Sequence, residues 1–374
     1  MVRSMTDLLV YADSFRSPEL RHEVPLGVPD PFLYAEKDGR RIIVVSSMEA
    51  PRLAELGLFE LRPLDEFGLD ELRSSGKSAA EITKELHLRA VEALGITSAS
   101  VPETFPLWLA DALRERGIEL KVDRELFNDR RRVKTESELA GMRRAQRAAE
   151  AAMDACRELL RTRVQNGGLT VEEVKSAMSV VFAEHSTTCD DFIVAPGPQG
   201  AVGHDMGSGP ITAGVPVIVD IWPRDNASFI YCDMTRTFVV GEIPEQVRTW
   251  HGLCKEALDR ALAEIKAGVI GRSIFDGTCE IFEQAGEPTQ RTKEPGKPLQ
   301  DGFFHGLGHG VGLEVHEDPG LGLVPGSPLR AGDVVTVEPG LYRQGYGGVR
   351  LEDLVLVAEN GAENLTDYPY DLEP

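Results

Sequence analysis

The stretch His305-Gly-Leu-Gly-His-Gly-Val-Gly-Leu-Glu-Val-His316 holds three of the chain's eight histidines. Glycine stands at positions 306, 308, 310 and 312. So many glycines are unfavourable in a helix, which argues against a helical zinc motif with two histidines on one face. The pattern instead predicts extended backbone packed tightly beneath a cleft, with histidine side chains available to it.

Outward from this stretch, four acidic residues lie within or at the end of apolar, strand-like segments. A buried carboxylate is costly unless it is paired, hydrogen-bonded or bound to a metal. A single acidic residue in a strand is usually an ion-pair partner or an edge residue, whereas four together indicate a shared site. The four residues are Asp220, Asp233, Glu338 and Glu352.

Two of these residues flank a short polar segment. Asp220 lies in the predicted strand Val217 to Ile221, Asp233 follows the predicted strand Phe229 to Cys232, and Trp222 to Ser228 between them read as a turn. We therefore expect Asp220 and Asp233 to face each other across a β-hairpin. Asp225, inside the turn, is a weaker alternative ligand.

Four carboxylates and the imidazole of His309 form a hard, oxygen-rich ligand set. Such a set suits Mn²⁺ or Co²⁺, with Zn²⁺ and Fe²⁺ as alternatives. Four negative charges balance two divalent cations, so the economical interpretation is a binuclear centre. Two adjacent metals can bridge a water molecule, lower its pKa and stabilise an oxyanion, which predicts hydrolysis.

The chain has 374 residues, a length that suggests two domains. Alternating strand and helix patterns predict a smaller α/β domain over residues 1–130. The pattern breaks near Phe127, and Thr135 and Glu138 form a capping box that opens a long helix. A second capping box, formed by Thr170 and Glu173, predicts another helix. We expect an α+β domain with mostly antiparallel strands over residues 135–374.

Composition excludes several classes of protein. The net charge of 40 − 61 = −21 repels nucleic acid. The first residues lack the apolar core of a secretory signal, and no stretch of about 18 apolar residues predicts a membrane span. The five cysteines form no CxxC pair, so we expect reduced thiols and a cytoplasmic protein.

Taken together, these motifs resemble those of the pita-bread metallopeptidases, and most of all the proline-specific aminopeptidase P and prolidase. The resemblance covers about residues 135 to 370, and it rests on the runs around Asp220, Asp233, His305 to His316, Glu338 and Glu352. It implies a pita-bread catalytic domain behind a smaller creatinase-type α/β domain. It further implies that Asp220 binds one metal, Asp233 and Glu352 bridge both, and His309 and Glu338 bind the other.

The resemblance also implies roles for four residues around the metals. His204 is similar to a histidine that contacts substrate and helps to move protons. His305 and His316 are similar to a pair that holds the scissile carbonyl and the proline side. Arg350 is similar to an arginine that orients the site or binds a substrate carboxylate.

The function implied first is that of an Xaa-Pro aminopeptidase acting on proline-containing peptides. The amino-terminal domain would limit substrate length and support a homodimer. The alternatives are a prolidase, another hydrolase on this fold, such as a methionine aminopeptidase, a creatinase-like enzyme or an organophosphate-cleaving relative, and a non-catalytic peptide-binding protein. Two departures concern the cleft: the Asp220 to Asp233 spacing of 233 − 220 = 13 is two longer than usual, and Trp222 stands where smaller residues are common.

Overall fold

The computed structural model describes residues 7–164 and 168–374. The first six residues, which belong to the predicted amino-terminal domain, lie outside the described residues. The chain separates into two compact units, Met1–Arg131 and Arg132–Pro374. They are called the N-terminal unit and the C-terminal unit below.

The N-terminal unit contains a mixed six-stranded sheet in the order β4-β3-β2-β1-β5-β6. The β1–β2 and β2–β3 pairs are antiparallel, and β3–β4, β1–β5 and β5–β6 are parallel. The strands are β1 (Leu8–Ala12), β2 (Phe32–Lys37), β3 (Arg40–Val45), β4 (Glu60–Pro63), β5 (Ser98–Val101) and β6 (Glu119–Val122). The helices are α1 (Pro18–Glu23), α2 (Ala50–Ala54), α3 (Leu69–Arg73), α4 (Ala79–Ala93), α5 (Leu107–Glu115) and α6 (Arg124–Arg132).

The described part of the C-terminal unit has four α-helices, which are α7 (Glu136–Arg163), α8 (Val171–Glu184), α9 (Glu245–Glu264) and α10 (Gly271–Gln284). Both predicted capping boxes form. Thr135 and Glu138 cap α7, and Thr170 and Glu173 cap α8, each pair satisfying amide groups that the first helical turn leaves free.

The strands of the C-terminal unit build a three-stranded sheet, β13-β11-β9, and a five-stranded sheet, β15-β14-β16-β19-β20. The described strands are β7 (Leu169–Thr170), β8 (Thr187–Thr188), β9 (Ile193–Pro196), β10 (Pro210–Ile211), β11 (Pro216–Ile221), β12 (Arg224–Asp225), β13 (Met234–Val239), β14 (Gly308–Gly310), β15 (Glu317–Leu321), β16 (Val334–Val337), β17 (Gly340–Arg343), β18 (Gly347–Arg350), β19 (Asp353–Ala358) and β20 (Gly361–Asn364). All their described pairings are antiparallel.

Each large sheet packs its apolar side chains with one pair of helices. The first core combines α7 and α8 with β9, β11 and β13. The second combines α9 and α10 with β16, β18 and β19. A single bridge between Thr235 and Glu352 links β13 to the start of β19 and so joins the two sheets. This junction is where the predicted ligands meet.

Two details of the C-terminal unit differ from the sequence prediction. Phe229 to Cys232, predicted as a strand, forms only an isolated bridge between Tyr231 and Arg224, because β12 pairs with β8 rather than closing a simple hairpin. Helix α10 was not predicted, since the side chain of its N-cap residue, Ile270, has no atom that accepts a hydrogen bond from the first turn and so gives no start signal.

No helix among the described residues combines the length and the apolar character needed to cross a bilayer.

Candidate metal centre

The five predicted ligands come from separate elements of the C-terminal unit. Asp220 lies on β11, and Asp233 directly precedes β13. His309 lies on β14, while Glu338 directly follows β16 and Glu352 directly precedes β19. All five therefore stand within one residue of the end of a strand, where the backbone is fixed on one side and the side chain reaches the junction of the sheets.

The pairing of β11 with β13 explains how the two aspartates converge. Asp220 pairs with Thr235, and Asp233 lies two residues before Thr235. Side chains two residues apart on a strand share a face, so the two aspartates are diagonal neighbours rather than direct partners. The longer turn between them does not change this facing.

Three of the predicted ligands form a compact group. Asp233, His309 and Glu352 each offer a ligand atom, and these atoms lie within 4.8 Å of one another. Glu338 adjoins the group, because its Oε1 lies 3.6 Å from His309 Nε2. Asp220 is outside the group of three, and its Oδ2 accepts a hydrogen bond from Arg350.

The ionised form of the carboxylates is unfavourable in this cluster unless additional positive charge is present. Burial, reinforced by neighbouring carboxylates, raises the pKa of Asp233 and of Glu352 well above their usual range. Burial also raises the pKa of Glu338 to about 8, with Arg350 opposing and Asp220 adding to the shift. Burial and the nearby His316 lower the pKa of His309 to about 4, which keeps its imidazole in the neutral form that binds metals.

One buried carboxylate oxygen without a hydrogen-bond partner favours a divalent cation at this place. Among the described residues, Asp233 Oδ1 is a buried atom with no hydrogen-bond partner. Such an atom is expensive unless a ligand satisfies it. Because neighbouring carboxylates and a neutral imidazole surround it, the residues fit a hard divalent ion.

The glycines around His309 allow close packing, as the sequence predicted. A Cβ atom on Gly308 would lie 2.0 Å from the carbonyl oxygen of Thr336, and one on Gly310 would lie 2.5 Å from that of Asp318. Gly306 is different, since its nearest neighbour would be 3.5 Å away. Close approach at 308 and 310 sets β14 between β15 and β16, and His309 between them is held toward the acidic cluster.

A buried tyrosine connects two of the predicted catalytic residues. The hydroxyl of Tyr342 lies 2.8 Å from His305 Nε2 and accepts a hydrogen bond of 3.1 Å from Arg350. His305 Nδ1 in turn lies 3.9 Å from Glu338 Oε2. Tyr342 was not predicted as a site residue, because a tyrosine in an apolar strand gives no signal that distinguishes it from a core residue.

Arg236 is a second residue near the site that was not predicted from the sequence. Its guanidinium is almost fully buried, and its five hydrogen bonds to acceptors are 2.7 to 2.9 Å long. The acceptors are the carbonyls of Thr235, Glu352, Tyr368 and Pro369 and the carboxylate of Asp353. An arginine inside the apolar run Met234 to Val240 is the signal that could have identified it, since a buried guanidinium needs partners.

The five predicted ligands line a cavity of about 510 Å³. His204, His305, His316 and Arg350 line it as well, so all nine predicted site residues border the same space. His316 lies with its ring centroid 4.2 Å from that of His309. Asp225, the weaker alternative ligand, does not line the cavity, and it forms an ion pair of 2.9 Å with Arg144.

Comparisons with known proteins agree with this geometry. Residues 140–359 match the profile of Metallopeptidase family M24. The Xaa-Pro dipeptidase of Pyrococcus furiosus is 34% identical over 247 residues, which are 66% of this chain and 66% of that protein. The Xaa-Pro dipeptidase of Pyrococcus horikoshii is 30% identical over 278 residues, covering 73% of this chain and 74% of the relative.

Solved structures of related proteins match this chain over nearly its whole length. An Xaa-Pro dipeptidase from Bacillus anthracis has a TM-score of 0.80 at 25% identity, covering 98% of this chain and 94% of its own. An X-Pro aminopeptidase from Thermotoga maritima has a TM-score of 0.79 at 23% identity and covers 98% and 96%, a likeness of fold.

The fold and the site therefore define a pita-bread hydrolase of the metallopeptidase class, as predicted. The chain belongs to metallopeptidase family M24.

Proposed function

We propose that this metallopeptidase is an Xaa-Pro dipeptidase, which hydrolyses the bond before proline in dipeptides. The observation that carries the proposal is the convergence of Asp233, His309 and Glu352 within 4.8 Å on a cavity that three further histidines border. The names of the relatives from the two Pyrococcus species favour dipeptides over the aminopeptidase activity expected first. Sequence similarity alone does not fix substrate length, so the choice needs a direct test.

The cofactor in this proposal is a pair of divalent ions, most simply Mn²⁺, held by Asp220, Asp233, His309, Glu338 and Glu352. When bound, such ions polarise a carbonyl and lower the pKa of water. The oxygen-rich ligand set supports Mn²⁺ over metals that prefer thiolates. Metal analysis of the purified protein and reconstitution with Mn²⁺, Co²⁺, Zn²⁺ and Fe²⁺ identify the active ion.

The proposal gives the surrounding side chains separate tasks. His204 is exposed on the cavity and is able to transfer a proton to the leaving amine. His305, held by Tyr342 and the Gly306 carbonyl, and His316, beside His309, line the cavity where they contact the scissile carbonyl and the proline side of the substrate. Arg350 holds Asp220 in place through its hydrogen bond to Oδ2.

One observation favours the second candidate, an aminopeptidase P that accepts longer peptides. Arg350 is the one arginine or lysine among the described residues that line the cavity, and it already donates to Asp220, Tyr342 and Thr235. A dipeptidase gains selectivity when a cation binds the carboxylate next to the scissile bond. Because Arg350 is already engaged, the described cavity lining has no further arginine or lysine to bind that carboxylate.

The deciding experiment compares Ala-Pro, Ala-Pro-Ala and Ala-Ala as substrates for the Mn²⁺-loaded protein. Cleavage of Ala-Pro with little cleavage of Ala-Pro-Ala supports the dipeptidase, and efficient cleavage of Ala-Pro-Ala before proline supports the aminopeptidase. Equal cleavage of Ala-Ala and Ala-Pro would contradict proline specificity. No cleavage, with metal bound, would favour the peptide-binding alternative.

Three further parts of the proposal concern the whole protein. The N-terminal unit limits substrate length, the chain forms a homodimer, and it acts in the cytoplasm. Each follows from the family resemblance and the composition. Analytical ultracentrifugation tests the dimer, and removal of residues 1–130 followed by assays with peptides of increasing length tests the role of the N-terminal unit.

A further inference from the structure

Apolar side chains form one wall of the cavity beside Asp220. Ile193 pairs directly with Asp220 across β9 and β11, so both side chains project to the same face. Trp222 follows Asp220 by two residues, which gives it the same facing, and both apolar residues line the cavity. Met206 also lines it, with its carbonyl accepting a hydrogen bond of 3.2 Å from Val194 beside Ile193. Ile193, Met206 and Trp222 are called the Trp222 wall.

A second apolar surface of the cavity is formed by Phe304, which packs on residues other than those of the Trp222 wall. Its ring centroid is 4.7 Å from that of Tyr342 and 5.7 Å from that of His305. An Xaa-Pro substrate carries two side chains that flank one scissile bond, so each needs its own surface. The flat aromatic group at Phe304 suits the apolar proline ring, which has no amide N–H to satisfy.

The remaining side chain, that of Xaa, belongs to the residue with the free amine. This amine needs a carboxylate or a metal ligand close to it, because a buried ammonium without a partner is costly. Asp220 provides that group on the same strand face as Trp222. A substrate whose amine lies at Asp220 therefore directs the Xaa side chain against the Trp222 wall.

The indole of Trp222 is not free to withdraw. Its backbone follows the fully buried Ile221 of β11 and precedes Pro223, whose carbonyl accepts a hydrogen bond of 3.1 Å from Cys232. The indole is half-buried and packs on the first core of the C-terminal unit. A large side chain that packs on the core, on a backbone fixed on both sides, acts as a fixed wall rather than as a flexible lid.

We propose that Trp222 is a specificity-determining residue that restricts Xaa to small side chains, a role that rests on the proposed Xaa-Pro activity. The protein then cleaves Gly-Pro and Ala-Pro in preference to Leu-Pro and Phe-Pro. Steric exclusion from an apolar pocket changes kcat/KM by roughly 10-fold to 200-fold for small differences in size. Shortening Trp222 removes the obstacle and leaves Asp220 in place.

The test measures kcat/KM of wild type, Trp222→Phe and Trp222→Ala on Gly-Pro, Ala-Pro, Leu-Pro and Phe-Pro. The ratio of Phe-Pro to Gly-Pro is expected to rise at least about 10-fold in Trp222→Ala and less in Trp222→Phe. Trp108→Ala is the matched control, since Trp108 belongs to the N-terminal unit and is 44% exposed; its ratio should equal that of wild type. Phe304→Ala should lower kcat/KM for every Xaa-Pro by a similar factor and leave the Xaa ranking unchanged.

The same assays separate failure of the inference from failure of the proposed function. A wild type that cleaves large and small Xaa equally well, or a Trp222→Ala that changes all four substrates by one factor, overturns the role of Trp222. If no Xaa-Pro substrate is cleaved but Xaa-Ala dipeptides are, the proline specificity is wrong, and the ratio of Phe-Ala to Gly-Ala then measures the role of Trp222. Thermal melting and Mn²⁺ titration of each variant show that fold and metal binding are retained.

Discussion

Arg350 donates from one terminal nitrogen to Asp220 and from the other to Tyr342, and its Nε donates to Thr235 at 3.3 Å. The guanidinium is buried among carboxylates. Burial alone would lower the pKa of Arg350, but Tyr342, Asp220, Glu338 and Glu352 more than offset it and raise that pKa well above its usual range. Arg350 is therefore a permanent positive charge that fixes Asp220 from the side.

Replacement of this arginine should separate charge from geometry. Arg350→Met removes the charge and leaves Asp220 without its hydrogen bond, so we expect kcat/KM on Ala-Pro to fall by about 100-fold or more. Arg350→Lys keeps the charge but not the planar arrangement of donors, so its kcat/KM should lie between those of wild type and Arg350→Met. The measurement is steady-state kinetics together with Mn²⁺ stoichiometry. Wild-type kinetics in Arg350→Met would show that Asp220 needs no such support.

Metal binding and turnover should be separable at two residues of the same cavity. Asp233→Ala removes a proposed metal ligand whose Oδ1 is buried without a hydrogen-bond partner, so it should abolish both Mn²⁺ binding and activity. His204→Ala should retain Mn²⁺ and lose at least about 100-fold in kcat, because a general acid contributes that much. Isothermal titration with Mn²⁺ and dipeptide kinetics measure the two effects.

Asp225→Asn is the matched control for Asp233, since Asp225 pairs with Arg144 and lies outside the cavity lining. It should bind Mn²⁺ as wild type does. Full Mn²⁺ binding by Asp233→Ala would refute its role as a ligand.

Arg236 should govern stability and metal affinity together. Arg236→Met leaves the fully buried Asp353 carboxylate without its ion-pair partner and should lower the free energy of unfolding by about 3 to 5 kcal/mol. Mn²⁺ affinity should also fall, because Arg236 donates to the carbonyl of Glu352 at 2.7 Å. Urea denaturation and Mn²⁺ titration test both effects. The double variant Arg236→Met with Asp353→Asn should regain part of the stability; no recovery would show that the buried charge is not the cause.

Histidine 87 should make the stability of the N-terminal unit depend on pH. Burial lowers the pKa of His87 from its ordinary value of 6.5, and its Nδ1 lies 2.7 Å from the Thr83 carbonyl. The unfolded chain therefore binds a proton more readily than the folded chain does. The stabilisation is complete above pH 6.5 and is lost as the pH falls from there toward the folded pKa.

Urea midpoints of wild type should thus decrease below pH 6.5, and those of His87→Gln should decrease less. Exposed His185 gives the control, His185→Gln, whose pH profile should follow that of wild type. Parallel profiles for wild type and His87→Gln would contradict the assignment.

The order of the candidate ligands along the chain, the two capping boxes and the tight packing at Gly308 and Gly310 could all be read from the sequence, because each depends on local residue types. The diagonal relation of Asp220 to Asp233 could not, since it depends on the register of β11 with β13 and on the departure of β12 to pair with β8. Tyr342 and Arg236 were missed for a similar reason. Most of their partners, such as His305 for Tyr342 and Asp353 for Arg236, are distant in sequence, and only tertiary structure brings them together.

The bridge between Thr235 and Glu352 also bears on how the molecule folds. Asp233 and Glu352 are 352 − 233 = 119 residues apart, and they approach only when both sheets have packed. Closing so long a loop is entropically costly, so these contacts belong to the late, slow part of folding. A partly folded chain holds Asp220 and Asp233 but not the partners supplied by the other sheet. The proposed metal site is therefore complete only in the folded protein, and a partly folded chain lacks most of the residues that would bind a divalent ion.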